Sequence, residues 1–281
     1  MDIYLADECA FHLVPQFSLD VARDRLEQKK AGLVAGNLGA LLSRPKPEEI
    51  QIVSVESRLE SFWLIRVFLH IAYDRSRIYT VPVTGSEIQQ VTILGQDLPV
   101  TSTAKGNASF TLSGVEHCVE ERRLSHTFDG VSGGMADFSK YLAFAKSEIS
   151  DLEHFAPEGT LVVPPQAHAS AVVRPVLAEV IKPVQAQVIH EERLNVEAIE
   201  LNFRPVYAFE YEWTTKGKRV ILEFDALTGE IHSGGKNVGE HIKGMLTRDL
   251  IFDVTADAAG LIVPGGSIAV KLVKAVVDRR K

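Results

Sequence analysis

The sequence predicts an α+β protein of two pseudo-repeated domains, each with helices packed on an antiparallel β-sheet, and three observations predict it. Apolar residues recur at helical spacing near the N-terminus and again in mid-chain. Runs of β-branched and aromatic residues of strand length alternate with turn residues. Two distant stretches also read as copies of one β-unit: Leu59-Glu60-Ser61-Phe62-Trp63 matches Phe203-Arg204-Pro205-Val206-Tyr207. Each is followed by a strand, a polar turn, a second strand and an acidic-isoleucine step, Glu87-Ile88 or Glu230-Ile231. Domains are accordingly expected at 1–155 and 167–244, joined by a proline-bearing linker at 156–166 and followed by a C-terminal helical segment at 245–281.

The elements follow in order. Ile3, Leu5, Phe11, Leu13 and Val14 form a short apolar pattern closed by Pro15, and Ser18 is suited to cap a helix from Leu19 to Leu33. Arg44-Pro45-Lys46-Pro47 breaks the chain. Strands are expected at Glu49–Val55, Phe62–Tyr73, Tyr79–Val83 and Gln89–Leu94, with turns at Asp74-Arg75-Ser76-Arg77 and Thr84-Gly85-Ser86. Phe110–Leu112 and Val115–Val119 extend this meander. Phe138, Leu142, Ala145 and Ile149 then fall on one face of a helix predicted over Met135–His154. In the second half, helical pieces over Ala169–Glu192 are expected to break at Pro175 and Pro183, since proline removes a helix donor. Val196–Phe203, Val206–Trp213 and Arg219–Phe224 read as strands, the last two joined by a hairpin in which Gly217 supplies the positive φ.

The last strand runs into Asp225-Ala226-Leu227-Thr228-Gly229-Glu230-Ile231, where Asp225 can accept hydrogen bonds from the backbone two or three residues on and Gly229 can close the turn. Over about residues 200–231 this order resembles a PepSY-type module, with a degenerate copy at about 56–88 that ends in Val83–Ile88 without the aspartate. The resemblance implies a small noncatalytic domain that binds or regulates other proteins.

Composition narrows the function classes. With 46% apolar and 24% charged residues the chain is of ordinary globular type, and a net charge of −7 argues against a phosphate-tracking nucleic-acid surface. The longest uncharged apolar stretches, Leu161–Val173 and Ala258–Val270, contain proline and fall short of the ~20 residues that span a bilayer, so no transmembrane segment is expected. The N-terminal Met-Asp-Ile-Tyr-Leu-Ala-Asp-Glu is acidic where a secretory signal is basic, which points to the cytoplasm and to reduced cysteines.

Cys9, His12, His117 and Cys118 offer two thiols and two imidazoles, the ligand types of a tetrahedral zinc site. Gly130-Val131-Ser132-Gly133-Gly134 lacks the strand that precedes a nucleophile elbow and reads as a loop. No nucleotide-binding fingerprint occurs, and Gly234–Gly239 reads as a connector. Ile268, Leu272 and Val276 form the apolar stripe of an expected C-terminal helix, suited to a partner protein, a second copy or weak contact with a membrane surface. The leading expectation is a noncatalytic cytoplasmic binding or assembly scaffold, homodimeric or bound to another protein. One alternative is a zinc-binding protein using the Cys/His set. The other is a small-ligand carrier or enzyme with its pocket between the two sheets.

Overall fold

The computed structural model describes residues 1–42, 45–85, 87–102, 108–234, 246–254 and 271–274, with the backbone alone for 37–42 and 271–274. In chain order the strands are β1 (Asp2–Leu5), β2 (Glu8–Leu13), β3 (Ile50–Val83), β4 (Gln90–Ile93), β5 (Gln96–Pro99), β6 (Thr101–Ser102), β7 (Ala108–Asp129), β8 (Lys146–Glu148), β9 (Thr160–Val162), β10 (Val188–Trp213), β11 (Lys218–Asp225), β12 (Ile231–Ser233) and β13 (Lys271–Lys274). The α-helices are α1 (Leu19–Leu42), α2 (Ala169–Val180) and the short α3 (Arg248–Ile251). Among the described residues no helix is long and apolar enough to cross a membrane.

The predicted α+β pair of domains is overturned. Eleven strands form one mixed sheet in the order β12-β11-β10-β3-β7-β6, with β1, β2, β8, β9 and β13 joined at its margins, and the chain is mostly β. The stretches read as copies lie against each other: β3 and β10 pair antiparallel from Ile50 opposite Trp213 to Asp74 opposite Val188, which sets Glu60 opposite Arg204. The residues expected as a linker include β9, which pairs with Ser57–Leu59. Among the described residues both stretches lie in one sheet and do not form two facing sheets.

Strand continuity follows from side-chain parity. Trp63, Ile65, Val67, Leu69, Ile71 and Tyr73 all point to one face, and that period of two carries on unbroken through Arg75, Arg77 and Tyr79, so the turn expected at Asp74–Arg77 is instead mid-strand. On this inner face they meet Leu194, Val196, Ile199, Leu201 and Phe203 of β10, and α2 packs over β3 and β7. The helix buries Ala169, Val172, Val173, Val176, Leu177 and Val180, a one-sided stripe whose burial contributes on the order of 10 kcal/mol before chain entropy is charged against it. It runs on through Pro175, which lies on the exposed side, and ends before Pro183. Farther along the same face, Ala22, Leu26 and Val34 of α1 pack on Tyr207, Phe209, Tyr211 and Trp213. Ser18 caps α1 by accepting the Val21 N–H at 3.3 Å.

The second edge of β10 is shared by three strands, β1 and β2 running parallel to it and β11 antiparallel. Pro205 sits in the seam between β2 and β11, where its carbonyl accepts the Ala226 N–H. A strand residue's N–H and C=O point to the same side, so the donor that proline lacks falls where no ladder partner is left unpaired.

Two further expectations fail for physical reasons. The helix predicted over Met135–His154 is replaced by a single helical turn at Ser139–Ala143 and by β8. Its apolar residues have separate partners instead: Phe138 stacks on Phe62 with ring centroids 4.8 Å apart, while Ile149 joins the inner core. The C-terminal helix is contradicted at Leu272, which lies in β13 alongside β1; Ile268 and Val276 lie outside the described residues.

What recurs within the one sheet is a turn. Asp225 Oδ1 accepts the N–H groups of Leu227 and Thr228 at 2.9 and 3.1 Å, and Asp129 Oδ1 accepts those of Val131 and Ser132 at 3.2 and 2.7 Å. Gly229 and Gly133 close the two turns at φ of 75° and 69°, a conformation open to glycine. The carbonyls of Ala226 and Gly130 then receive the residues that lead into α1 and α2, Gln16-Phe17 and Gln166-Ala167. The turn that matches Asp225–Gly229 is therefore Asp129–Gly133, not Val83–Ile88. Strands β3 and β7 reach much farther than β10 and β11 before turning back.

Asp225 does more than its counterpart, because it also accepts from the Tyr141 hydroxyl and, at 3.4 Å, from Arg204. Asp225→Ala is expected to cost about 3 kcal/mol by leaving buried charge without its partner, against about 1 kcal/mol for Asp129→Ala. Urea denaturation measures both, and equal costs would contradict the assignment.

Beyond Asp74 strand β3 has left β10 behind, so Arg75–Val83 and Ala108–Glu116 form an arm of two long strands, with β6 paired to Ala108 and Ser109 at its far end. The β4–β5 hairpin turns through Leu94 and Gly95 at φ of 49° and 77°. A leucine there is strained, and Leu94 is almost wholly exposed. Leu94→Asn should stabilise the hairpin by about 1 kcal/mol, read as slower amide exchange across Gln90–Ile93.

Candidate functional site

The face of the sheet turned away from α2 carries charged side chains around a small apolar cluster at Phe62, Tyr141 and Leu227, and it divides into a covered part and an open part. In the covered part Arg58, fully buried, reaches Glu56 at 2.5 Å and Glu223 at 3.2 Å. Nearby, Arg204 reaches Glu60 at 2.5 Å, and its guanidinium also meets Tyr141 and Asp225. Burial, then the hydrogen bond to Asp225, push the Tyr141 phenol above its ordinary range, so it stays protonated and donates. These groups satisfy one another across β3, β10 and β11, and the arrangement is a brace.

The open part begins at His70 and runs toward the arm. Residues four apart on a strand share a face, so β3 presents His70 and Asp74 together and β7 presents His117 and Glu121 together. Strand β10 adds His190 and Glu191, and its register shifts between Ile189 and Glu191, leaving His190 as an extra, bulged residue. Bulges re-aim side chains, and this one sends the imidazole to Asp74. The result is a small lattice: Asp74 lies between His117 at 2.7 Å and His190 at 2.8 Å, while His70 lies between Glu121 at 3.3 Å and Glu191 at 3.8 Å. Each strand supplies one imidazole and one carboxylate.

An ionised carboxylate only accepts hydrogen bonds, so Asp74 requires N–H at Nδ1 of His117 and at Nε2 of His190. The hydrogen bonds from His190 and His117 hold the Asp74 carboxyl below its usual range. Arg75 and Tyr79 face the other way, where both bind Glu116. Imidazoles and carboxylates thus alternate across the three strands on an open face.

The four residues first considered for zinc do not converge. Cys9 lies on the outer face beside Glu200, whereas His12 lies on the inner face with its ring 5.7 Å from Phe155. Burial, then Glu148 and Glu200, push the Cys9 thiol up, away from the thiolate a metal would need. His117 and Cys118 are neighbours on β7 and point to opposite faces, Cys118 packing against the inner core. Cys9 is level with Leu64 of β3 and Cys118 with Tyr73, which separates them by on the order of 30 Å along the strand. Among the described residues no group of three or more His, Cys, Asp or Glu side chains could hold a metal ion. Of the sequence candidates only His117 belongs to the lattice; Asp74 was hidden in an expected turn and His190 in an expected helical piece. The four-residue spacings His70/Asp74 and His117/Glu121 are the signal that one continuous strand would have revealed.

Two shallow clefts of about 330 and 350 Å³ also open on the surface, the second lined by His12, Asp151, His154 and Phe155. In it His154 is already held by Asp151 at 3.0 Å.

The depressed Asp74 predicts an acid-side effect with a definite sign. A carboxyl whose folded pKa lies below its unfolded value adds stability that is complete above about pH 4 and is lost as pH falls through the folded value. Asp74→Asn should therefore melt below the wild type at about pH 5, with the gap closing toward about pH 2. A gap that stays constant to the acid limit would contradict this role. No known family model, curated protein or solved structure matches the chain.

Proposed function

We propose that the protein is a noncatalytic cytoplasmic assembly scaffold that pairs with a second copy of itself through the outer face of its arm. The observation that carries this reading is the makeup of that face. Ser76, Ile78, Thr80 and Pro82 of β3 lie beside Ser109, Thr111, Ser113 and Val115 of β7, and none of the eight carries a charge. Ile78 is 69% exposed and Val115 56% exposed, and Val119 and Val188 continue the apolar stripe toward the body.

The opposite face of the arm is occupied: Phe110 and Ala108 are buried there, and Glu116 binds Arg75 and Tyr79. An uncharged β-face on a chain of net charge −7 is the patch where two acidic copies approach with least repulsion. Such faces stack about 10 Å apart with small and β-branched side chains interleaved. Two strands of eight residues give a patch on the order of 250 Å² per copy, well below the roughly 800 Å² per partner of a stable complex, so the pairing belongs to the weak, concentration-dependent class. Free Cys9 and Cys118 suit a reducing compartment.

Sedimentation equilibrium over a range of protein concentrations tests this. A reversible monomer–dimer equilibrium is expected, abolished by the double variant I78K/V115K, whose exposed positions tolerate lysine without loss of folding. A wild type that stays monomeric, or a double variant that dimerises as the wild type does, would overturn the self-pairing.

A further inference from the structure

We infer that the histidine–carboxylate lattice at the root of the arm makes this pairing pH-dependent, with association strengthened by mild acid. The inference rests on the scaffold reading and adds its regulation. The lattice adjoins the pairing face directly: Asp74 and His117 are opposite each other on β3 and β7, and the next outward pair is Ser76 opposite Val115. Any copy seated on Ile78 and Val115 therefore has the lattice at its rim.

The charges facing it can be taken strand by strand. On that face β3 contributes His70 and Asp74, β7 contributes His117, Glu121 and Arg123, β10 contributes His190, Glu191 and Arg193, and β1 contributes Asp2 beside Arg193. Arg123 has Glu197 3.9 Å away, and Arg193 has Glu191 3.8 Å away. With neutral imidazoles, the three lattice carboxylates, Asp2 and Arg193 leave a charge of about −3; three imidazoliums would bring this to about zero. Imidazoles as a class make that change between about pH 5 and 8. An anionic rim repels a second acidic copy, and a neutral one removes that repulsion.

The hydrogen-bond order gives protonation a natural place. In each imidazole bound to Asp74 one nitrogen donates to the carboxylate, so a proton arriving at the other nitrogen turns the existing hydrogen bond into an ion pair without breaking it. Three strands are then fastened more firmly where the arm leaves the body. A better-held arm gives up less freedom when it pairs, which acts in the same direction as the change of charge.

The test is sedimentation equilibrium of the full chain at about pH 8 and about pH 5.5 at one low ionic strength, with a matched pair of triple variants. The wild-type dissociation constant should fall on the order of tenfold in acid, and H70Q/H117Q/H190Q should lose most of that fall. The control H154Q/H168Q/H232Q removes three imidazoles elsewhere and should keep it. The single variant H117Q, at a side chain 80% exposed, should lose part of it with folding intact. A wild-type constant unchanged between the two pH values, or an equal loss in both triple variants, overturns the inference while leaving self-pairing in place. Absence of dimer at either pH overturns the scaffold reading and the regulation with it.

Discussion

The antiparallel pairing of β3 with β10 is the constraint on which the rest of the molecule depends. Over Ile50–Asp74 and Val188–Trp213 it decides which side chains face α1 and α2 and which face away, and a slip of one residue would exchange the two sets. The ladder is not uniform. Extra residues at Val53, His190 and Glu197 interrupt its register, and the inner face of β10 passes from even positions at Leu194 and Val196 to odd ones at Ile199, Leu201 and Phe203 across the last of these. Parity therefore has to be followed through the bulges before any residue can be assigned to a face.

The same register puts charge in the middle of the sheet. Arg58 is fully buried and Arg204 largely so, yet each is met by carboxylates on the same face of the sheet. Slipped by one position, these arginines would point into Trp63, Phe203 and the α2 interface, at a cost of several kcal/mol per uncompensated ion. The brace thus disfavours the wrong register more than it adds to the stability of the right one. Farther out, where Ser139–Ala143 no longer covers the face, similar acid–base pairs are open to water.

Local chemistry was legible in the sequence, and pairing was not. Ser18 caps α1, Gly217 turns the β10–β11 hairpin at φ of 59°, and Asp225 and Gly229 close their turn as their chemistry requires. Phe62, Trp63, Tyr207 and Trp213 are buried as aromatic candidates for the core. The errors came where distant partners override local signals. Asp74-Arg75-Ser76-Arg77 has the composition of a turn, but opposite strand β7 each residue finds a cross-strand neighbour. Met135–His154 has helical spacing, but Phe62 and the inner core draw its apolar residues to opposite sides of the sheet. The candidate site suffered from the same gap, since a lattice spread over three strands exists only once their register is known.

The margins of β10 have a consequence for how the chain is made. Strands β1 and β2 are synthesised about 190 residues ahead of their partners in the sheet, Arg193–Val196 and Ile199–Phe203. At ordinary rates of synthesis that is a wait on the order of ten to forty seconds. Strand β3 is also without its longest partner for most of that time. The nascent chain thus presents unpaired, apolar strand edges well before it can close them, and contacts of such sequence separation form slowly even after release. Yield in the cell should depend on chaperone supply and growth temperature more than the stability of the finished sheet would suggest.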